Sequence, residues 1–183
     1  MTTGRDHEAA ADPPAPGVAV RPARPADVPR IWEMLRGLAV YEKLEHEVSG
    51  TRERLAADLF GPRPPVECLV AESGQGLVGY ALVYPRYSSF RTVPSLWLED
   101  LFVEPEARGR GAGRALLAAV ARLALDRGFP GVGWIVLDWN RPSIDFYDRS
   151  GARAAAGGWL EYGLDLAGMR ALAGPTPPRP ATD

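Results

Sequence analysis

The sequence predicts an α/β domain whose mixed sheet is flanked by helices, with elements in the order β-α-α-β-β-β-α-β-α-β. Three observations carry that expectation. The apolar runs "VECLVAE" and "LVGYALVYP" are separated by "SGQG", the pattern of a β-hairpin. "SLWLEDLFV", an amphipathic stretch starting at Ala112, and "GVGWIVLD" then follow as strand, helix and strand, which is a crossover. Two helical stretches precede the hairpin, so the sheet has further helices to flank it.

In chain order, "VAVRP" is a short first strand. Positions 25–40 form a helix with Val28, Ile31, Trp32, Leu35 and Leu38 on one face, and Pro25 and Pro29 fall in its first turn, where a missing N–H costs nothing. A second helix covers 51–60, starting at Ser49 or Thr51 and stopped by Gly61 and Pro62. After the hairpin and the third long strand, Leu116, Val120 and Leu123 define the buried face of the crossover helix. Asn140 caps a helix from Arg141 to Ser150, with Gly151 as its left-handed stop, and "GGWLEYGLD" is a last strand before a short terminal helix.

Composition narrows the function. The chain has 183 residues, 46% of them hydrophobic, enough for one core of ordinary size. We expect a single domain over 18–173, with disordered tails at 1–17 and 174–183 where small polar residues and prolines dominate. A net charge of −2 and a pI near 5.8 argue against nucleic acid or an anionic membrane as partner. No apolar run approaches the ~20 residues of a membrane span, and the first residues lack a secretory core. Cys68 is the sole cysteine, so a disulfide framework is excluded and a reducing cytoplasm fits. Cys68 has no histidine near it in sequence, and no His/Cys spacing suits a metal, so neither covalent nor metal catalysis is expected.

The stretch "ARGRGAGRALLAAVARLAL" holds the chemical signal. A helix N-terminus presents unpaired N–H groups and about half a positive charge, and glycines let backbone approach a phosphate closely. Gly109, Gly111 and Gly113, interleaved with Arg108, Arg110 and Arg114, therefore suit a pyrophosphate. A P-loop would need Lys and Ser/Thr after the last glycine, where Arg114 stands. A dinucleotide fingerprint would need glycine at 114 and a tight turn, yet "EPEAR" separates the strand from the first glycine.

What matches is R-x-x-G-x-G at Arg108, Gly111 and Gly113, together with "VRPARPAD", "LAVYEKLEHEV", "CLVAE", "LWLEDLFVEPEARGRGAG" and "DWNRPSIDFYDRSGA" in that order. Over 18–165 the chain resembles the GNAT superfamily of N-acetyltransferases, nearest to its diamine (spermidine/spermine) branch and the thialysine-acetylating relatives. The resemblance implies acetyl-CoA as co-substrate and a small cationic amine as acceptor. It places Arg108, Gly109, Arg110, Gly111, Ala112, Gly113 and Arg114 at the pyrophosphate, with Asn140, Ser143 and Arg149 also on the cofactor side. A backbone N–H at Phe102 or Val103 would face the thioester carbonyl.

An amine of pKa near 10.4 is neutral in about one molecule in 2,500 at pH 7, a penalty of roughly 4.6 kcal/mol, so the site must take a proton. Glu99 and Asp100 stand side by side in an apolar strand, where alternation turns one of them inward or into a cleft. By resemblance Glu99 draws the proton off through a water and Asp100 holds the cation or the strand. Tyr147, four residues from Ser143 and on its helical face, takes the place of the family's general acid. Tyr41 and Glu42 in "YEKLEHE", with Glu45, Glu47 and Trp159, would gather the acceptor. His46 and Gly133 depart from the diamine pattern, which has an acid and a histidine there. Other acceptors stay open, namely a thialysine-like amino acid or a protein or peptide amine, and so does a CoA-binding module without turnover. The family also implies a homodimer.

Overall fold

A computed structural model describes residues 17–154 and 164–173. The chain divides into a unit ending at Ile144 and a second beginning at Asp145. The expected tails, Gly17 apart, and most of the expected last strand with its Trp159 lie outside the described residues.

The first unit holds a five-stranded sheet: β1 (Ala19–Pro22), β2 (Glu67–Ser73), β3 (Gly76–Ser88), β4 (Val93–Val103) and β5 (Val132–Gly133). The strands lie in sequence order, β1 to β4 antiparallel and β5 parallel to β4. Helices α1 (Val28–Glu42) and α2 (Arg52–Phe60) precede β2, and α3 (Ala112–Asp126) makes the crossover from β4 to β5. This is the mixed α/β architecture the sequence predicts.

Two cores sandwich the sheet. Ala112, Leu116, Val120 and Ala124, one turn apart along α3, pack on Leu69, Ala81, Val83, Leu96 and Leu98. On the other side Ile31, Met34 and Leu59 meet Val70, Tyr80, Leu82 and Phe102. Each fully buried aliphatic of this kind stabilises the fold by about 1.5–3 kcal/mol. Met34 belongs to the buried face of α1, while Trp32, Leu35 and Leu38 are only half-buried. Thr51 caps α2 as expected, its hydroxyl accepting from the Arg54 N–H at 3.1 Å.

The register of β3 against β4 slips once. Val83 pairs with Leu98 and Leu82 with Asp100, which leaves Glu99 as the extra residue of a β-bulge. The slip exchanges the two faces of β4. Before it Leu96 and Leu98 enter the α3 core; after it Leu101 and Val103 do so, and Phe102 enters the α1/α2 core.

The expected strand "GVGWIVLD" is much shorter than its apolar run suggests. Val132 and Gly133 pair with Leu96 and Trp97, and no pairing continues beyond them. The bulge follows immediately on β4, and a bulge bends its strand and ends regular pairing, so Ile135 and Val136 are exposed.

Helix α4 (Arg141–Arg149) begins in the first unit and runs into the second. Asn140 caps it, its Oδ1 accepting from the Ser143 N–H at 3.3 Å. In the second unit Gly151 takes φ +85°, the left-handed stop expected there, and α5 (Leu166–Ala173) is the short terminal helix.

Candidate active site

A cleft of about 420 Å³ opens between α1, α2 and the bulged part of β4. Its wall is apolar, with Trp32, Leu35, Leu38, Leu55 and Leu82, and its charge is carried by Glu42, Glu47, Asp58, Glu99 and Asp100. Arg54 is the cation of the lining, and it is already engaged, its Nε lying 2.8 Å from Asp58. Among the described residues, Glu42, Glu47, Glu99 and Asp100 thus face the cleft with no lining cation to neutralise them.

The bulge explains why two neighbouring carboxylates share this cleft. On a regular strand Glu99 and Asp100 would point to opposite faces; the extra residue breaks the alternation and both line it. Glu99 is exposed and held by the Trp97 indole, whose Nε1 donates to its Oε2 at 3.0 Å. The Arg86 guanidinium lies over that indole, 4.6 Å from the ring centre. A Cβ on Gly133 would come within 3.2 Å of the Trp97 ring, so a side chain at position 133 would have to displace it. Burial, and then the charge of Glu99, push the Tyr84 phenol up.

Asp100 is more enclosed. Burial and the charges of Glu99 and Glu42 raise its carboxyl to about 6, against the pull of a 3.0 Å hydrogen bond from the Tyr80 hydroxyl. Glu42 is raised by burial as well. Cys68 is buried and its thiol pushed up to about 12, first by desolvation, which leaves it without nucleophilic character.

Of the residues expected at the acceptor, Glu42 and Asp100 line the cleft with Glu47, while Tyr41 and Glu45 do not. Tyr41 turns elsewhere. Its hydroxyl donates to Oδ1 of buried Asn140 at 2.9 Å, and the Arg108 guanidinium sits 4.7 Å from its ring centre. Trp159 lies outside the described residues.

Arg54 and Asp58 line the cleft without having been singled out in the sequence, and Trp32, expected only as part of a buried helix face, lines it as well. Trp32, Leu35, Ala39 and Glu42 recur at helical spacing and share the cleft-facing side of α1, a pattern that reads equally well as a core face.

The glycine loop has the backbone its residues suggest. Gly109 and Gly111 adopt φ of +72° and +86°, which residues with a Cβ rarely take. Gly111 is the N-cap of α3 and no side chain caps that helix, so N–H groups in the turn of Ala112 and Gly113 remain available to an anion. Arg108, though exposed, is engaged within the chain: its Nε donates to Val103 O at 2.9 Å and its guanidinium lies over the rings of Tyr41 and Phe102. Arg110 and Arg114 flank the same loop.

The Arg108 bond also orients the end of β4. The Glu104 N–H donates to Val78 O on β3, so alternation turns Val103 to the opposite edge, where its carbonyl meets Arg108. That edge is beyond the pairing with β5, and the N–H of Val103 shares it, whereas Phe102 faces β3.

In the second unit Tyr147 is half-buried on α4, its ring 5.2 Å from that of Phe146, and Arg149 is exposed at the helix end. Ser143 is half-buried one turn earlier. Among the described residues no helix is long and apolar enough to cross a membrane.

A model of the acetyltransferase (GNAT) family matches residues 33–152. Thialysine N-epsilon-acetyltransferase of Sus scrofa is 41% identical over 167 residues, covering 86% of this chain and 98% of its own. An L-ornithine N5-acetyltransferase of Arabidopsis thaliana is 30% identical over 179 residues, covering 73% and 78%. A solved aminoglycoside acetyltransferase from an uncultured soil metagenomic sample has a TM-score of 0.66 at 19% identity, over 81% of this chain and 96% of that one, a likeness of fold.

Proposed function

The chain belongs to the acetyltransferase (GNAT) family and is an N-acetyltransferase, and from that premise we propose that it acetylates a primary amine of a di- or polyamine with acetyl-CoA as co-substrate. One observation carries the choice of acceptor. The cleft presents Glu42, Glu47, Glu99 and Asp100, and its lining cation Arg54 is bound to Asp58, so it suits an acceptor with several cationic groups and, among the described residues, offers no open partner for a carboxylate. The apolar wall of Trp32, Leu35 and Leu38 suits the methylenes between amines.

The residues of the chain divide the work as follows. Main-chain N–H groups around Gly109 to Gly113 hold the diphosphate, with Arg110 and Arg114 at its rim and Arg108 bracing the loop. The family resemblance assigns Asn140, Ser143 and Arg149 to the remainder of the cofactor. Bound there, acetyl-CoA supplies the thioester carbonyl that the amine attacks.

Glu99 accepts a proton from the acceptor ammonium through a water, leaving the lone pair free to form the new C–N bond. Val103 donates its N–H to the oxyanion that forms on the carbonyl oxygen. Tyr147 protonates the departing thiolate as the C–S bond breaks, and the phenol is restored by the proton that the nitrogen of the new amide gives up. Phenol to thiolate is uphill by about 2 kcal/mol at ordinary pKa values, so proximity must help it. Trp159, which lies outside the described residues, is assigned to the acceptor by the family resemblance alone. We further propose a cytoplasmic homodimer, with no nucleic acid or membrane partner.

A steady-state thiol-release assay tests the reading with putrescine, spermidine, thialysine and lysine at fixed acetyl-CoA. The diamine and triamine should give the higher kcat/KM. Turnover of thialysine or lysine alone would assign an amino-acid acceptor instead.

A further inference from the structure

Tyr80 does not line the acceptor cleft, yet its hydroxyl is bonded to a carboxylate that does. The side chain is fully buried among Ile31, Met34, Val70, Leu82 and Phe102, its ring 6.2 Å from that of Phe102. Packing there asks only for an aromatic ring. A hydroxyl in such surroundings needs a partner, and the partner is Oδ2 of Asp100 at 3.0 Å.

We propose that Tyr80 is a positioning residue of the reaction: by donating to Asp100 under the cleft floor, it keeps that carboxylate ionised and aimed at the acceptor's cation. The inference rests on the assignment of the cleft to a cationic amine. Several charges bear on Asp100. Glu42 on α1 and its neighbour Glu99 on β4 disfavour its ionisation, as does burial. On β2 the Cys68 thiol is neutral, and Glu47, Asp58 and Arg54 line the same cleft, the last two paired with each other. The Tyr80 hydroxyl opposes burial and the two glutamates, because a donor to the charged form favours it. Its removal would let Asp100 take up a proton near neutral pH, and the acceptor would lose a counter-ion.

The test compares pH profiles of kcat/KM for putrescine in the wild type, Tyr80→Phe, Asp100→Asn and the double variant. Tyr80→Phe should move the acidic limb up by about one pH unit and raise the putrescine KM several-fold near pH 6.5, with the acetyl-CoA KM unchanged. On the Asp100→Asn background it should add nothing further. An unshifted limb, or a full second effect in the double variant, overturns the proposal. Should Tyr80→Phe fail to fold, 3-fluorotyrosine at position 80, a stronger donor, should move the limb down, and an unmoved limb again overturns it. A wild type that acetylates no amine overturns the functional reading and this proposal with it; an active wild type with a silent Tyr80→Phe overturns the proposal alone.

Discussion

Glu99 and Asp100, adjacent on β4, open into the same cleft because the chain bulges at Glu99. They meet different surroundings there. Glu99 is exposed and tethered by an indole N–H, whereas Asp100 is desolvated and backed by a phenol. One carboxylate is placed to exchange protons with water, and the other to present a charge at the cleft floor.

Glu99→Gln keeps the size of the side chain and its bond from Trp97, but removes the proton acceptor. We expect kcat/KM for the amine to fall by about 10²-fold or more, with acetyl-CoA affinity unchanged. Steady-state kinetics together with calorimetric titration of CoA measure both. A loss under threefold would take the base role away from Glu99.

Tyr147→Phe should lower kcat by about 10²-fold and leave CoA binding as it was. The loss should shrink for an acetyl thioester whose thiol is more acidic than CoA, since that leaving group needs less protonation. Equal losses with both donors would contradict the acid assignment.

Tyr41→Phe removes a hydrogen bond to buried Asn140, which would keep only the Ser143 N–H on its Oδ1. Urea unfolding should show a loss of about 1 kcal/mol. Tyr41 does not line the cleft, so the acceptor KM should hold within a factor of two. A large rise in that KM with unchanged stability would return Tyr41 to direct contact with the acceptor.

Asp100 also sets a pH dependence of stability. Its carboxyl is raised from the ordinary 3.8 to about 6 in the folded chain, chiefly by burial, so the folded state holds its proton more tightly than the unfolded one. The stability gained from this group is complete below the unfolded value and is lost as pH rises through about 4 to 6, up to about 3 kcal/mol. Asp100→Asn should therefore be more stable than the wild type at pH 7 by an amount of that order, with a smaller difference at pH 4. Denaturant unfolding at the two pH values checks the sign. A variant less stable at pH 7 would show that ionised Asp100 is not strained by its site.

The element order from β1 through α4, the hairpin, the caps of α2 and α4 and the glycine loop follow from local signals: periodicity, proline and glycine placement, and short-range side-chain bonds to backbone. Such signals act within a few residues, and the linear sequence displays them. Length is less secure, as the shortened β5 shows, since an apolar run pairs only while a neighbouring strand remains in reach.

The sequence by itself determined the residue types of the site: glycines before a helix, two adjacent carboxylates in an apolar strand, and acids at the end of α1. Tertiary structure alone decided which of them meet. One bulged residue turned both carboxylates into the same cleft and brought Tyr80 beneath Asp100. It also took pairing to arrange that Tyr41 and Arg108 brace the frame. Strand register and desolvation depend on which distant segments pair and pack, and neither is a property of any short stretch of chain.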